Sequence, residues 1–437
     1  RAPAHAREEA RRRQGEAFGQ ISLLNNEDAE RGQSDFYTYR YLASEGFLPG
    51  YSFPRLPLAA YIPGAMRRSG DYVQRPRFVA INEFGPGALI YHEGARYEVY
   101  RVQVPRDADA GVLTEEAVTC ALCGYHYPVL AGTDVCDQCG AELPPSTRGL
   151  LELRTVFTRR KERINSDEEE RRRQGYELRL SYRFTQSGSR TGHVDAVAHV
   201  EGMPLAELRY GDSATVRVAN VGLRRRRQGA GEGFKLDALT GRWLRESDVE
   251  DPQDDGGDNL SDPTKAKKPI LVIPFVQDRR NLIAMRWSEQ LSLQQAVSVR
   301  YALERGAEVH FQLEDSELAS DSLPDPEGRG RFLLMESAEG GAGALRRLVA
   351  EPDRLADIAR TSLRLLHFDP DSGEDLGRAP GARERCELAC YDCLLAYYNQ
   401  PVHSLLDRHT VRDLLLRLAR STVIESGAPP QPTGLAD

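Results

Sequence analysis

No apolar run in the 437-residue chain approaches the roughly 18 residues that a membrane-spanning helix needs. No positively charged leader with an apolar core precedes the first charged segment, so no secretion signal is expected. Isolated cysteines are missing too. All seven fall in two tight clusters, whereas a secreted disulfide framework would scatter an even number along the chain. CxxC pairs without a secretion signal favour metal over disulfide. A general excess of positive charge is also lacking, since the net charge is −8, which argues against a uniformly basic nucleic-acid binder. Together these absences point to a globular cytoplasmic chain with no membrane partner. Arg1 stands where a start methionine would, and a piece of a longer polypeptide is expected.

The charge that is present is uneven. Arg11 to Arg13, the run Arg159, Arg160 and Lys161, Arg171 to Arg173, and the run Arg224, Arg225, Arg226 and Arg227 are basic, and Asp251 to Asp258 is acidic. Such runs are most often solvated faces, but binding follows local potential rather than the total, and a basic channel on an acidic chain is compatible with these numbers.

A nucleotide-driven engine is not legible. There is no G-x-x-x-x-G-K-[ST] phosphate loop. Gly229 to Gly233 is glycine-rich without the lysine end and reads as a turn, and Asp167 to Glu170 has no apolar strand before it and reads as a solvated helix. Gly340-Gly341-Ala342-Gly343 lies between a strand-like run and a helix, a position that can hold a phosphate at a helix N-terminus or form a tight, closely packed turn. Glu314, Glu317 and Glu336 have no lysine at a spacing that would suggest a nuclease. No catalytic residue is assigned.

Cysteine chemistry is the clearest signal. Cys120-x2-Cys123-x12-Cys136-x2-Cys139 has zinc-ribbon spacing, with two tight turns that each offer two thiolates to a closed tetrahedral cage. Gly124 and Gly140 follow the second cysteine of each pair, where such a turn tends to need a positive φ. Four ligands leave no open position, so this zinc is structural. His126 is expected at the surface rather than on the metal. The second cluster, Cys386-x3-Cys390-x2-Cys393, supplies three thiols, and His403 is the nearest good donor for a fourth place, with His409 and His367 as rivals. The three cysteines could also simply be small buried hydrophobes.

The patterning suggests a multidomain α+β chain with N-terminal helices, a β-rich middle carrying the zinc ribbon, and an α/β C-terminal domain with the second cluster. Its expected parts are a helical and Pro/aromatic-rich segment (1–64), a small β-unit (65–110), the ribbon (111–148), a β-rich domain (149–248), a linker (249–268), the C-terminal domain (269–426) and a disordered tail (427–437). Phe78 to Ile81 reads as a strand. So do Ala88 to Tyr91, Tyr97 to Val104, Leu151 to Phe157, Tyr176 to Phe184, Val194 to Val200, Ala214 to Val221, Glu308 to Leu313 and Arg331 to Met335. Leu291 to Leu303 has helical periodicity after a candidate cap at Ser288, and a helix begins at Ala344.

Three stretches carry a resemblance: Leu333 to Leu345 (LLMESAEGGAGAL), the helical run Ser292 to Arg305, and Cys386 to Arg408 (CELACYDCLLAYYNQPVHSLLDR). With them the C-terminal half resembles the C-terminal domain of MrfA-type DEAD/DEAH helicases, including its zinc-binding module. Gly46 to Pro57 and Gln74 to Tyr97 look like the region that follows the motor domains in large bacterial helicases. Some of these act in DNA repair and some in defence against phage. The resemblance implies a non-motor part of a superfamily 2 helicase, with zinc as cofactor and DNA and RecA-like motor domains, in cis or in trans, as partners. It also implies DNA contact through the two basic runs at Arg159 and Arg224. The family pattern has four cysteines where this chain has three. A zinc-dependent protein-interaction scaffold is the alternative.

Overall fold

The computed structural model describes residues 57–64, 70–107, 111–129, 134–161, 175–187, 190–226, 231–244, 269–315, 317–337 and 343–426. The expected helices before residue 47, the 249–268 linker, the 427–437 tail, Arg171 to Arg173, Arg227 and Gly340 to Ala342 lie outside these residues. Among the described residues strands dominate and helices are few, so the fold is α+β.

Two long strands form the spine. Met203–Leu223 and Pro269–Trp287 pair antiparallel along most of their lengths. The first is flanked by Val194–Val200 at one end and Tyr176–Arg183 at the other. The second is flanked by Phe234–Asp237 and Thr147–Glu152 at its start and by Phe332–Glu336 towards its end. The sheet therefore contains strands from both sides of the 249–268 segment. One end continues through Thr422–Glu425, and the other through Glu115–Thr119 and the hairpin strand His126–Pro128. A separate five-stranded sheet holds, in order, Asp71–Arg75, Leu58–Ile62, Val156–Lys161, Ala95–Val102 and Leu89–His92.

Apolar residues occupy even positions of the first long strand on both sides of Gly211: Ala206, Leu208 and Tyr210, then Ala214, Val216 and Val218. A regular strand would send all of them to one face. The register shifts between Gly211 and Ala214, so that Gly211 faces Leu282 and Ala214 faces Arg280. This bulge has one extra residue and reverses the face. The first set packs with Ile283, Met285 and Trp287 and the C-terminal helices in one core. The second set packs with Tyr125, Tyr182, Val276 and Leu282 in another. Ser213 holds the bulge in the left-handed region at φ 51. Its N–H donates to Asn281 Oδ1 at 3.0 Å, and Asn281 Nδ2 donates to the buried Glu336 at 3.0 Å.

Helix Leu293–Phe311 starts at a capping box, in which Ser292 Oγ accepts from the Gln295 N–H and the Gln295 side chain accepts from the Ser292 N–H. The cap is therefore Ser292 rather than Ser288. The helix packs closely on Arg354–Leu365 at Gly306, where an added Cβ would lie 2.0 Å from Ser362 Oγ and 3.0 Å from the Ile358 carbonyl oxygen.

Two further sequence expectations are corrected. Phe78 to Ile81 belongs to helix Arg77–Glu83, which buries Ala80 and Ile81; so short an apolar run fits either element, and the surrounding packing decides. Glu308 to Leu313 contains the end of the long helix, closed by Gln312 in the left-handed region, and no strand. The expected strands at 88–91, 97–104, 176–184, 194–200 and 331–335 form within a few residues of their expected bounds. Leu151 to Phe157 divides between Thr147–Glu152 and Val156–Lys161.

Replacing Asn281 with Ala removes the acceptor for the Ser213 N–H and a donor to buried Glu336, at a cost of about 1–3 kcal/mol for groups left unsatisfied. Asn281→Asp keeps the shape but sets a second carboxylate against Glu336, and destabilises more at neutral pH. Urea unfolding should show the order wild type, Asn281→Ala, Asn281→Asp; equal midpoints would mean that the bulge does not depend on this side chain.

Candidate metal centres

The first centre grows from the hairpin at the edge of the large sheet. Glu115–Thr119 and His126–Pro128 are joined by a turn carrying Cys120 and Cys123. In that turn the Gly124 N–H donates to the Cys120 carbonyl at 2.9 Å and the Cys120 N–H to the Tyr125 carbonyl at 2.8 Å. The second turn repeats the pattern, Gly140 to Cys136 at 2.8 Å and Cys136 to Ala141 at 2.8 Å. Gly124 and Gly140 both have φ 74, which explains glycine at these two places.

The sulfurs face one another. Cys120 and Cys139 are 3.5 Å apart, Cys123 and Cys136 are 3.6 Å apart, and all four Sγ atoms lie within 4.8 Å of one another. A tetrahedral zinc with bonds of about 2.3 Å sets its sulfurs about 3.8 Å apart, while a disulfide needs about 2.05 Å. The donor set therefore fits zinc. Tyr127 accepts from the Asp137 N–H at 2.8 Å and donates to Cys136 Sγ at 3.5 Å, tying the second turn to the hairpin. Cys123 is pushed up by its hydrogen bonds to Cys120 and Cys136 and by burial. A divalent cation offsets the cost of placing thiolates in such a site. His126, expected at the surface, is buried and outside this ligand group. Burial, with Arg217 and Arg183 nearby, holds its imidazole well below the ordinary value.

The second centre joins Cys386, Cys390 and Cys393 with His367. Cys386 and Cys393 are 3.7 Å apart, Cys390 and Cys393 are 3.5 Å apart, and His367 Nε2 is 3.2 Å from Cys390 Sγ. All four ligand atoms lie within 4.8 Å of one another, again close to the edges of a tetrahedral zinc site. His367 follows helix Arg354–Leu365 in the left-handed region at φ 63. Its N–H donates to the Arg364 carbonyl and the Phe368 N–H to the Leu363 carbonyl, an ending that usually takes glycine. A residue other than glycine with positive φ is uncommon, and the sequence gives no sign of it here. Burial, then the charge of Arg408, lowers the His367 imidazole. The neutral ring is the form a metal takes.

His403, the expected fourth donor, is engaged elsewhere. Its Nε2 lies 2.8 Å from Asn399 Oδ1 and 3.0 Å from the Ala396 carbonyl oxygen. Asn399 in turn accepts from the Ala396 N–H and donates to the Leu394 carbonyl. His403 thus secures the loop after the cysteines. His409 Nε2 lies 2.8 Å from the Glu387 carbonyl oxygen and is also outside the ligand group.

The basic runs are partly engaged by partners within the fold. Arg159 pairs with the buried Glu98 at 2.8 Å and Lys161 pairs with the same residue at 3.3 Å. Arg224 donates to the Tyr176 carbonyl, and Arg226 pairs with Glu177 at 3.0 Å and caps the Val221 carbonyl. Arg159, Arg160, Arg224 and Arg225 are all exposed, while Lys161 and Arg226 are half-buried. At the glycine turn, the Glu336 carboxylate accepts from the Leu345 N–H at 2.8 Å and the Gly343 N–H at 3.2 Å, so these amides are already taken.

The two clusters lead us to expect two zinc ions per chain. His367→Ala should lower the content to about one, whereas His403→Ala should leave both in place, since a closed structural site needs all four ligands. Elemental analysis of the purified variants reads this directly. Loss of zinc from His403→Ala with retention in His367→Ala would reverse the assignment.

Among curated proteins none matches this sequence significantly. Residues 299–394 match the family model of the MrfA Zn-binding domain. Solved structures with a similar outline include the DUF1998 helicase MrfA bound to DNA, at 10% identity and a TM-score of 0.38, covering 83% of this chain and 34% of that one. MrfA alone follows at 11% identity and a TM-score of 0.31, covering 77% and 32%. MrfA bound to DNA and AMPPNP gives 9% and 0.29, covering 82% and 31%. This chain thus spans about a third of the length of those helicase chains. All four ligands of the second centre fall inside the matched segment, and His403 falls outside it. The segment 299–394 of this chain is therefore similar to the MrfA Zn-binding domain.

Proposed function

We propose that this chain is the non-motor C-terminal region of a superfamily 2 DNA helicase, holding two structural zinc ions and contacting nucleic acid beside ATP-hydrolysing RecA-like domains supplied in cis or in trans. The observation that carries this reading is the complete Cys3His cluster inside the segment matched to the MrfA Zn-binding domain. MrfA is a helicase that binds DNA, and DNA is the partner we transfer to this chain. Both cages are closed by protein ligands, so zinc supplies rigidity here and no chemistry. A cytoplasmic setting, with a role in DNA repair or defence against phage, belongs to the same proposal. Among the described residues no helix is long and apolar enough to cross a membrane.

Phosphate contact is best assigned to Arg160 and Arg225, which are exposed, with Arg227 as a further candidate on sequence. Arg159, Lys161, Arg224 and Arg226 have partners within the fold, and their first effect is on structure. Such contacts are independent of base sequence and weaken as salt rises.

A second reading, a zinc-dependent protein-interaction scaffold, is favoured by one observation. Leu388, Tyr391 and Tyr397, on or just after the C-terminal cysteine turn, are 57%, 64% and 85% exposed.

Fluorescence anisotropy with labelled single- and double-stranded DNA, measured across a salt series, tests the first reading. Arg160→Glu/Arg225→Glu should bind roughly 10-fold or more weakly, and the slope of log affinity against log salt should fall by about 0.9 for each lost phosphate contact. No detectable DNA binding at low salt by the intact chain, together with capture of a protein partner through Tyr391 and Tyr397, would move the assignment to the scaffold.

A further inference from the structure

We infer that Arg408, held by Asp375, is the positioning residue of the C-terminal metal centre, setting the separation of its histidine-bearing and cysteine-bearing segments. The ligands come from two stretches of chain. His367 ends a helix, whereas Cys386, Cys390 and Cys393 sit in a loop with little regular structure. Hydrogen bonds of regular elements do not fix the distance between them.

Arg408 reaches both. Its side chain is almost fully buried, with the residue 1% exposed. Nη1 donates to the carbonyl of Leu366, the residue before His367, at 3.2 Å. Nη2 donates to the carbonyl of Cys386 itself at 2.9 Å. The Asp375 carboxylate takes both nitrogens, at 2.7 and 2.9 Å, in a two-pronged pair. The guanidinium carbon lies 4.8 Å from the centre of the Phe368 ring. The Arg408 N–H also donates to the Leu388 carbonyl at 2.9 Å, so its backbone is tied to the cysteine loop as well.

Asp375 is fixed in turn. It pairs across an isolated bridge with Phe368, and its carboxylate accepts from the Gly377 N–H at 2.8 Å. The Gly377 carbonyl accepts from the Cys386 N–H at 2.8 Å, and the Leu376 N–H donates to the His367 carbonyl at 2.9 Å. One planar fork therefore links the two ligand-bearing segments and the loop between them. A lysine carries the same charge but cannot reach two carbonyls and a carboxylate in one plane. Groups that orient the ligands of a metal contribute 10–100-fold to its affinity, and such a contribution is expected here.

The test uses the purified full chain and follows zinc release to a chromogenic chelator. Cys393→Ser serves as the marker that retains only the ribbon ion. Arg408→Lys and Asp375→Asn should each release the C-terminal zinc about 10-fold faster or more, with ribbon release unchanged. In cobalt-substituted protein, the visible bands of the C-terminal site should shift in both variants, a change that a merely structural ion pair would not produce. If both variants unfold more easily but keep wild-type release rates and cobalt bands, the inference is overturned. A normal Arg408→Lys beside a defective Arg408→Met also overturns it, because charge alone would then suffice. Should Arg408→Lys fail to fold, Asp375→Asn carries the same comparison with less change in shape.

Discussion

The one-residue bulge between Gly211 and Ala214 is the constraint on which the rest of the fold depends. It turns a single alternating strand into a wall shared by two cores on opposite faces. Without the extra residue, Ala214, Val216 and Val218 would be directed away from the core they fill. Asn281 pins the bulge and also holds Glu336, whose carboxylate receives the first amides of helix Ala344–Ala350. Strand register and the placement of a C-terminal helix thus meet at one amide side chain.

Each core then receives one metal centre. Cys120, Cys123 and Cys136 pack within the core that contains Tyr125 and Tyr182. Cys386 and Cys393 pack within the core formed by helices Leu293–Phe311, Arg354–Leu365 and Arg412–Leu418. The two sites solve different problems. The ribbon closes a sheet-edge hairpin whose backbone is already ordered by paired turns. The C-terminal centre organises the stretch from Leu366 to Val411, which contains no α-helix or sheet strand and is held by side chains: Arg408, Asp375, Asn399 and His403. Long irregular segments bury polar backbone only when such partners are present, and a metal cage adds the strongest of these ties.

How much was legible follows from how local each signal is. The ribbon was readable because its four ligands and two glycines lie in two short turns whose chemistry is complete in the sequence. The strand runs were readable by alternation, although the run read from Ala214 to Val221 starts after the bulge that sets which face it buries, and the residues before it were not read as strand. For the fourth place of the second centre the sequence put His403 forward, whereas the fold brings His367 to the three cysteines. His403 is near the cysteines in sequence, whereas His367 precedes Cys386 across a loop and reaches the site only through a left-handed helix ending. The basic runs were visible as charge, but their partners Glu98 and Glu177 come from other strands, so which of the basic residues are engaged by partners needed the fold. Phe78 to Ile81 failed as a strand because four apolar residues carry no period of their own.

The central claim, that an all-thiolate ribbon and a Cys3His centre coexist in one chain, is tested most directly by zinc X-ray absorption on the purified protein. The account predicts seven sulfurs and one nitrogen shared between two ions, an average shell of about 3.5 sulfurs near 2.3 Å and about 0.5 nitrogen near 2.0 Å. A shell of sulfur alone, or one with oxygen from an open coordination position, would contradict it.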